Sequence, residues 1–515
     1  MAQSFLERHA STIAASVSCF DRVIFKGYLK HLSHPSGMMD FLARRGVLLK
    51  HFDRFVGEHT QRLVQSAKDR CAREGRTYRY LNSYHIDKDA AAREIAATQN
   101  IAEGLVCCFS VVERTNTFRM VGGKGAPKLV STMRPCLCLY FYLIDPRFGF
   151  MHVRLASWFP FTVQVYVNGH QWLQRRLDAE GMDYELCDNY FLSVADPQAV
   201  QEISDQFVHL NMQAILSGFA AQVNPLLTEL LRGYSYYWVT DQAEYATDIL
   251  FCNPADLEAL YPELLRHAVL EFSAEDIMTF LGKDIRATAT GDSITNCHRR
   301  RPGARVKHRA RGNWIKMYDK ATTVLRIETV INDPYQFKVR RSGTKAGRQV
   351  TAWFPLCKSV AYLYRYAEVA AAANRRYLDA LAPVPQPRQI REQLHELTHT
   401  VEHNGRGYGG FNPAAAETIA LFLEVMKGEY ILGRFRNGLV AEALYGHSDD
   451  PLQRRRDAAR AARRIRKLHL RGYVARIPRT RAWVVTPKGY AVLGACVRAY
   501  HDDIPQLIEN QREAS

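Results

Sequence analysis

Residues Pro451 to Lys488 read PLQRRRDAARAARRIRKLHLRGYVARIPRTRAWVVTPK. Pro451–Leu470 repeats its apolar residues at helical spacing, giving one narrow apolar face and a basic remainder. Gly472 ends that helix, as glycine does at helix C-termini. Tyr473–Ile477 and Ala482–Val485 are short strands around the turn Pro478-Arg479-Thr480-Arg481, and Thr486-Pro487-Lys488-Gly489 opens a last helix. Thirteen lysines and arginines fall in the stretch against one acid, Asp457. That excess is more than solubility requires and marks a surface for a polyanion. The bland alternative is a solvated basic helix that balances charge elsewhere.

Upstream, Pro413–Met426 and Leu439–Tyr445 fit two further helices, and Ala382-Pro383-Val384-Pro385-Gln386-Pro387 reads as an extended linker. A second break, GRGYGG, follows at Gly405–Gly410. The expected C-terminal domain is therefore 412–515, after a Pro/Gly linker region at 383–411. Leu468, Gly472, Tyr473, Val474, Trp483, Val485, Thr486 and Gly489 resemble the recognition-helix and wing signature of bacterial winged-helix domains. The resemblance implies a DNA-binding domain. Arg455, Arg456, Arg460 and Arg463 would meet bases or phosphates, with Arg464 and Lys467 completing the basic set. Arg479 and Arg481 would meet the adjacent backbone or minor groove. Charge alone gives binding without sequence specificity, so the target is not readable.

The whole chain has 515 residues, enough for two to four domains, and its net charge is +17. Such a charge favours nucleic acid first and an anionic membrane second. No run of 18 apolar residues occurs, and the N-terminus lacks the layout of a signal peptide. The expectation is a cytoplasmic protein with no membrane partner. None of the eleven cysteines forms a CxxC pair, so they read as reduced thiols.

The fold class expected is α+β and multi-domain. Residues 1–200 show strand-like runs at Gly104–Val112, Cys136–Ile144 (CLCLYFYLI), Phe148–Leu155 and Phe161–Val167, which suit an antiparallel sheet with helices on one face. Residues 201–382 read as a helical segment followed by a hairpin-rich domain, with strands at Val306–Arg309, Trp314–Tyr318, Val324–Ile331, Phe337–Val339 and Val350–Phe354. Ser359–Leu381 reads as a helix.

A second basic cluster carries Arg299, Arg300, Arg301, Arg305, Lys307 and Arg309 as nucleic-acid contacts, and leads into two alternating strands. Lys316 and Tyr318 share one face of the first strand, Arg326 and Glu328 one face of the second. If the strands pair, a tyrosine, a carboxylate and cations meet beside a polyanion groove. Tyr318, Glu328 and Lys320 are then the catalytic candidates, because a tyrosine can attack a phosphodiester while cations neutralise the developing charge. The alternative is a structural hairpin with an Arg–Glu pair. Leu281, Gly282, Ile315, Tyr318, Asp319, Lys320, Leu325, Arg326 and Glu328 look similar to a recurrent string of rolling-circle replication initiators, although a His-hydrophobic-His metal motif is absent. That likeness implies strand nicking.

If Trp238–Asp248 is helical, Asp241, Glu244 and Asp248 fall at i, i+3 and i+7 on one face and would hold Mg²⁺ or Mn²⁺. The alternative has one acid capping the helix and the others facing water. No other cofactor is indicated. His152, Arg154, Thr162, Gln164, Tyr166 and Asn168 alternate on strands whose polar face suits either a nucleic-acid single strand or solvent. Asp21, after Phe20, leads a further strand and suits an acid of a nuclease fold or a structural Asp–Arg pair.

The phrases Asp21–Leu29, Phe150–Arg154, Trp158–Phe161 and Tyr318–Lys320 resemble a family of uncharacterised bacterial proteins with a C-terminal winged helix. That resemblance implies one inherited architecture and no mechanism. Three functions follow from the sequence: a DNA-processing protein of mobile-element or replication type, a winged-helix transcriptional regulator with a large ligand- or partner-binding body, or a non-catalytic RNA-binding or nucleoprotein component. DNA is favoured over RNA as partner, and an oligomer is compatible with the chain.

Overall fold

Aromatic and β-branched residues at period two build a sheet that spans most of the first 331 residues. A computed structural model describes residues 4–83, 85–122, 127–282, 293–299, 304–345, 347–384, 395–427, 435–478, 480–498 and 500. Over the described part of the first 331 residues the strands are β1 (Ile13–Tyr28), β2 (Thr77–Leu81), β3 (Gly104–Val121), β4 (Lys128–Asp145), β5 (Gly149–Ala156), β6 (Val163–Asn168), β7 (Tyr184–Cys187), β8 (Tyr190–Val194), β9 (Tyr237–Phe251), β10 (Ser293–Arg299), β11 (Ala304–Ala310), β12 (Asn313–Lys320) and β13 (Val324–Ile331). Eleven of them form one sheet in the order β10-β11-β12-β13-β9-β1-β6-β5-β4-β3-β2, while β7 and β8 pair as a separate hairpin. Among the described residues of this sheet, only the β2–β3 pairing is parallel.

The mixed α and β class expected from the sequence is the class observed. The chain divides into two compact units, Met1–Gln386 and Pro387–Ser515. The boundary expected near residue 200 separates nothing compact, because β1 is hydrogen-bonded between β6 and β9. The long β1 and β9 strands, paired from Ile13 to Tyr28, join the two halves in one sheet. Among the described residues, no helix is long and apolar enough to cross a membrane.

Alternation gives the sheet two unlike faces. On one, Val23 and Phe25 of β1, Val163 and Val165 of β6, Phe141 of β4 and Ile327 of β13 join the main core. The helices Pro35–Ala43, Phe52–Arg73, Met212–Val223 and Leu363–Leu381 contribute Phe41, Val56, Leu216 and Tyr377 to the same core. Asn374, buried on the last of these helices, donates to Tyr245 O and Thr247 Oγ1 of β9. The opposite face is polar along β1, β9, β12 and β13. At its β2–β3 edge the helix Lys88–Thr98 covers a small second cluster with Ile95, Phe109 and Tyr142.

The second unit has its own core. Helices Ala416–Val425, Asn437–Tyr445, Pro451–Leu470 and Pro487–Arg498 accompany a three-stranded sheet in which Ala482–Val485 lies between Phe435–Arg436 and Val474–Arg476. Asp450 caps the basic helix, accepting from the backbone N–H groups of Leu452 and Gln453. Ala461, Ile465 and Leu468 are its buried stripe, the narrow apolar face read from the sequence.

Candidate functional site

The site begins at an irregularity in β1. Between Phe20 and Val23 the register against β9 slips by one residue, so Asp21 and Arg22 oppose Glu244 as a bulge. Arg22 turns to the polar face and pairs with Glu244. Asp21 reaches His170, the second residue of the helix Gly169–Glu180, with Nδ1 donating to Oδ1 at 3.0 Å. Gly169 permits this approach: a Cβ there would lie 2.1 Å from the Phe20 carbonyl oxygen.

Arg326 of β13 is fully buried and grips Asp248 of β9 with two hydrogen bonds, Nε to Oδ1 at 2.6 Å and Nη2 to Oδ2 at 2.7 Å. Its Nη1 lies 3.7 Å from Asp21 Oδ2 and makes no hydrogen bond. Asn189, from the turn between β7 and β8, donates to Asp21 at 3.2 Å, and its carbonyl accepts from Arg326 at 2.7 Å. Burial works against ionisation of Asp21, but His170, Arg326 and Lys316 outweigh it and hold the carboxyl far below its usual range. Burial likewise opposes the charge of His170. The neighbouring Cys19, the hydrogen bond to Asp21 and the Asp248 carboxylate 3.8 Å from Nε2 outweigh that and hold its pKa well above the ordinary value.

Beside this inner network lies a second group. Lys316 is the direct cross-strand partner of Glu328, and Tyr318 that of Arg326. Lys316 Nζ lies 2.5 Å from Glu328 Oε1 and 3.6 Å from Glu244 Oε2. The Tyr318 hydroxyl donates to the other Glu328 oxygen. Oxygen atoms of Asp21, Glu244 and Glu328 all lie within 4.8 Å of one another. Burial and the nearby Glu328 carboxylate push Glu244 up to about 7. Burial, then Glu328, keeps Tyr318 protonated well past the usual phenol range.

The register extends the same face to cations. Lys307 is opposite Lys316, Arg305 opposite Tyr318 and Arg309 opposite Trp314. Lys307 Nζ lies 3.3 Å from the Trp314 ring centroid. Burial and the cations Lys316, Arg305 and Arg309 lower its pKa, a crowding that an anion would relieve.

Tyr318 and Glu328 therefore meet as the alternating strands suggest. Lys320 shares their face, but its ammonium donates to Asn189 at 2.7 Å and lies 5.7 Å from the Tyr318 ring centroid. The acidic helix expected at 241–248 is instead the central strand β9, hydrogen-bonded on both sides. Glu244 and Asp248 share the site face at a separation of four, because strand period is two. Asp241 sits at a second register slip and lines a separate cavity. β9 is buried along most of its length yet carries Glu244 and Asp248, paired with Arg22 and Arg326, and these polar residues hid the strand pattern in the sequence. Arg22 and His170 were missed as site residues; the signals were the DR dipeptide of β1 and the Asn168-Gly169 helix start.

Among the basic residues read from the sequence, Arg299 lies in β10, while Arg300, Arg301 and Arg479 lie outside the described residues. In the second unit Arg455, Arg456, Arg460, Arg463 and Arg481 are exposed. Arg464 pairs with Glu417, which also lies 3.6 Å from Arg460. Lys467 is half-buried. No family model, no curated protein and no solved structure matches this chain.

Proposed function

We propose that the first unit processes nucleic acid by metal-assisted phosphodiester cleavage and that the basic second unit, read as a winged helix, holds the DNA. One observation carries the reading: three carboxylates from three strands converge on the same sheet face as the cationic row of β11. Their donor set is all oxygen, which suits Mg²⁺ or Mn²⁺, and the raised pKa of Glu244 is a crowding that a divalent cation relieves. Asp21, Glu244 and Glu328 would hold the ion, which supplies charge stabilisation at the phosphoryl oxygens.

Tyr318 is the nucleophile in this reading and Glu328 its base, oriented by Lys316. The Tyr318 oxygen bonds to phosphorus as its proton passes to Glu328. The bond from phosphorus to the leaving strand oxygen breaks, and that oxygen takes a proton from water. Arg305 and Lys307 would hold the flanking phosphates. The test incubates purified protein with labelled single-stranded and supercoiled DNA, with Mg²⁺, Mn²⁺ or EDTA, followed by denaturing gels with and without protease. Metal-dependent nicking with DNA attached to protein, lost in Tyr318→Phe and Glu328→Gln, supports the reading. Uncut DNA in every condition removes it.

A second reading rests on the pairing itself. Arg22 sits on Glu244, Lys316 on Glu328 and His170 on Asp21, so the network neutralises itself without an ion. The first unit is then a ligand- or partner-binding body, in a winged-helix regulator or in a nucleoprotein component. Uncut but shifted DNA favours this reading.

A further inference from the structure

The polar face of the sheet holds a cavity of about 680 Å³. Its floor follows the register row Lys26–Gln164–Arg154–Tyr140 across β1, β6, β5 and β4. Along β1, Lys26 and Tyr28 follow Arg22 at intervals of two on the same face, so the cavity starts about 13 Å from the bulge that carries Asp21. Besides Tyr140 in the floor, three tyrosines line it: Tyr28, Tyr237 and Tyr335. The first two pack edge to face at 5.5 Å, and Tyr335 is 57% exposed. Four cations against two acids give the lining a positive excess, and one of those acids, Glu113, is already held by Arg154 at 3.0 Å. Lys26 and Lys358 have no carboxylate partner within 4.0 Å among the described residues.

Of these rings Tyr335 is the exposed one, and Tyr28 and Tyr237 are half-buried; an exposed aromatic ring beside cations without carboxylate partners holds single-stranded nucleic acid through base stacking and phosphate contacts. The volume is that of a small-molecule site, which takes unstacked nucleotides and not a duplex. We propose that this cavity seats an unpaired stretch of the polynucleotide next to the scissile bond, with a base on Tyr335 and phosphates on Lys26 and Lys358. This rests on the cleavage reading above and names its substrate: a single strand, or a duplex already opened at the site.

The test is fluorescence anisotropy on the full-length protein in EDTA, where cleavage is blocked, with labelled oligothymidine and oligouridine of about 20 nucleotides. Unlabelled duplex in excess occupies the basic second unit. Wild type is expected to bind the single strand. Tyr335→Ala and the Lys26→Ala/Lys358→Ala pair are expected to weaken it about tenfold, while Tyr335→Phe keeps it. The exposed position of Tyr335 makes that variant safe for folding. A preference for thymidine or uridine assigns the single strand to DNA or RNA. Absent single-strand binding in wild type, or unchanged binding in both cavity variants, overturns the proposal. If the variants behave as expected but no metal supports nicking, the cleavage reading alone falls. If nicking occurs and the variants bind as wild type does, the cavity assignment alone falls.

Discussion

Glu328 faces Lys316 directly across the β12–β13 pair and accepts the Tyr318 hydroxyl with its second oxygen. One carboxylate, only 1% exposed, thereby binds a cation and a phenol at once. A buried carboxylate with both oxygens engaged has a fixed orientation, which is what a proton acceptor for a nucleophile requires. The same arrangement makes the surrounding charges interdependent, and several measurable consequences follow from individual members.

Arg326 is the charge on which the inner network depends. It is fully buried and holds Asp248 with two hydrogen bonds. Arg326→Met leaves Asp248 and Asp21 buried without that partner. The expected loss is about 3–5 kcal/mol of unfolding free energy, read from urea midpoints. Adding Asp248→Asn is expected to restore part of it, since the second change removes the orphaned charge. Equal stability of Arg326→Met and wild type would contradict the network described here.

Glu244 gives a pH-dependent prediction with a definite sign. Its pKa in the fold, about 7, lies above that of an unfolded glutamate. Its contribution is therefore intact below the unfolded pKa and is lost as pH rises through about 7. Glu244→Gln stays neutral throughout. The variant is expected to gain about 1–3 kcal/mol relative to wild type at pH 8, and the gain is expected to vanish near pH 4.5. Paired denaturation curves at the two pH values check this, and a gain independent of pH contradicts it.

The close approach at Gly169 is testable by one methyl group. Gly169→Ala places a Cβ 2.1 Å from the Phe20 carbonyl, so β1 and the helix carrying His170 must separate. The expected cost is about 1–3 kcal/mol. Gly57→Ala is the control. It lies within the helix Phe52–Arg73 with open space around the added atom, and is expected to be neutral or stabilising by up to about 1 kcal/mol.

The β-sheet body and its hairpins were readable because their residues alternate cleanly, as in β5, β6, β12 and β13. The Tyr318–Glu328 meeting was readable for the same reason: two alternating strands separated by a short turn leave few ways to pair. β9 was not readable. Its Asp, Glu and Thr residues imitate an exposed helix face, and their partners Arg22, Arg326 and Lys316 lie 222, 78 and 72 positions away, distances that no local pattern reports. Asp21 was visible only as an acid at the head of a strand. Its place depends on a bulge, and bulges leave little trace in a single sequence.

The basic helix Pro451–Leu470 predicts a salt dependence. Arg455, Arg456 and Arg463 are exposed on it. Each arginine that neutralises a phosphate contributes about 0.9 to the slope of log K against log salt. Replacing all three by alanine is expected to lower the slope of duplex binding by about 2 to 3, measured by anisotropy between about 50 and 200 mM salt. An unchanged slope places the nucleic-acid contact elsewhere.

The most direct test of the central claim is Mn²⁺ binding to the full-length protein at pH 8, followed by electron paramagnetic resonance of the free ion. The carboxylates of Asp21, Glu244 and Glu328 predict one saturable site per chain, weakened at least about tenfold in both Glu244→Gln and Glu328→Gln. A wild-type protein that takes up no Mn²⁺, or variants that bind it as wild type does, would contradict a cation site at these carboxylates and leave the cluster a self-neutralised structural network.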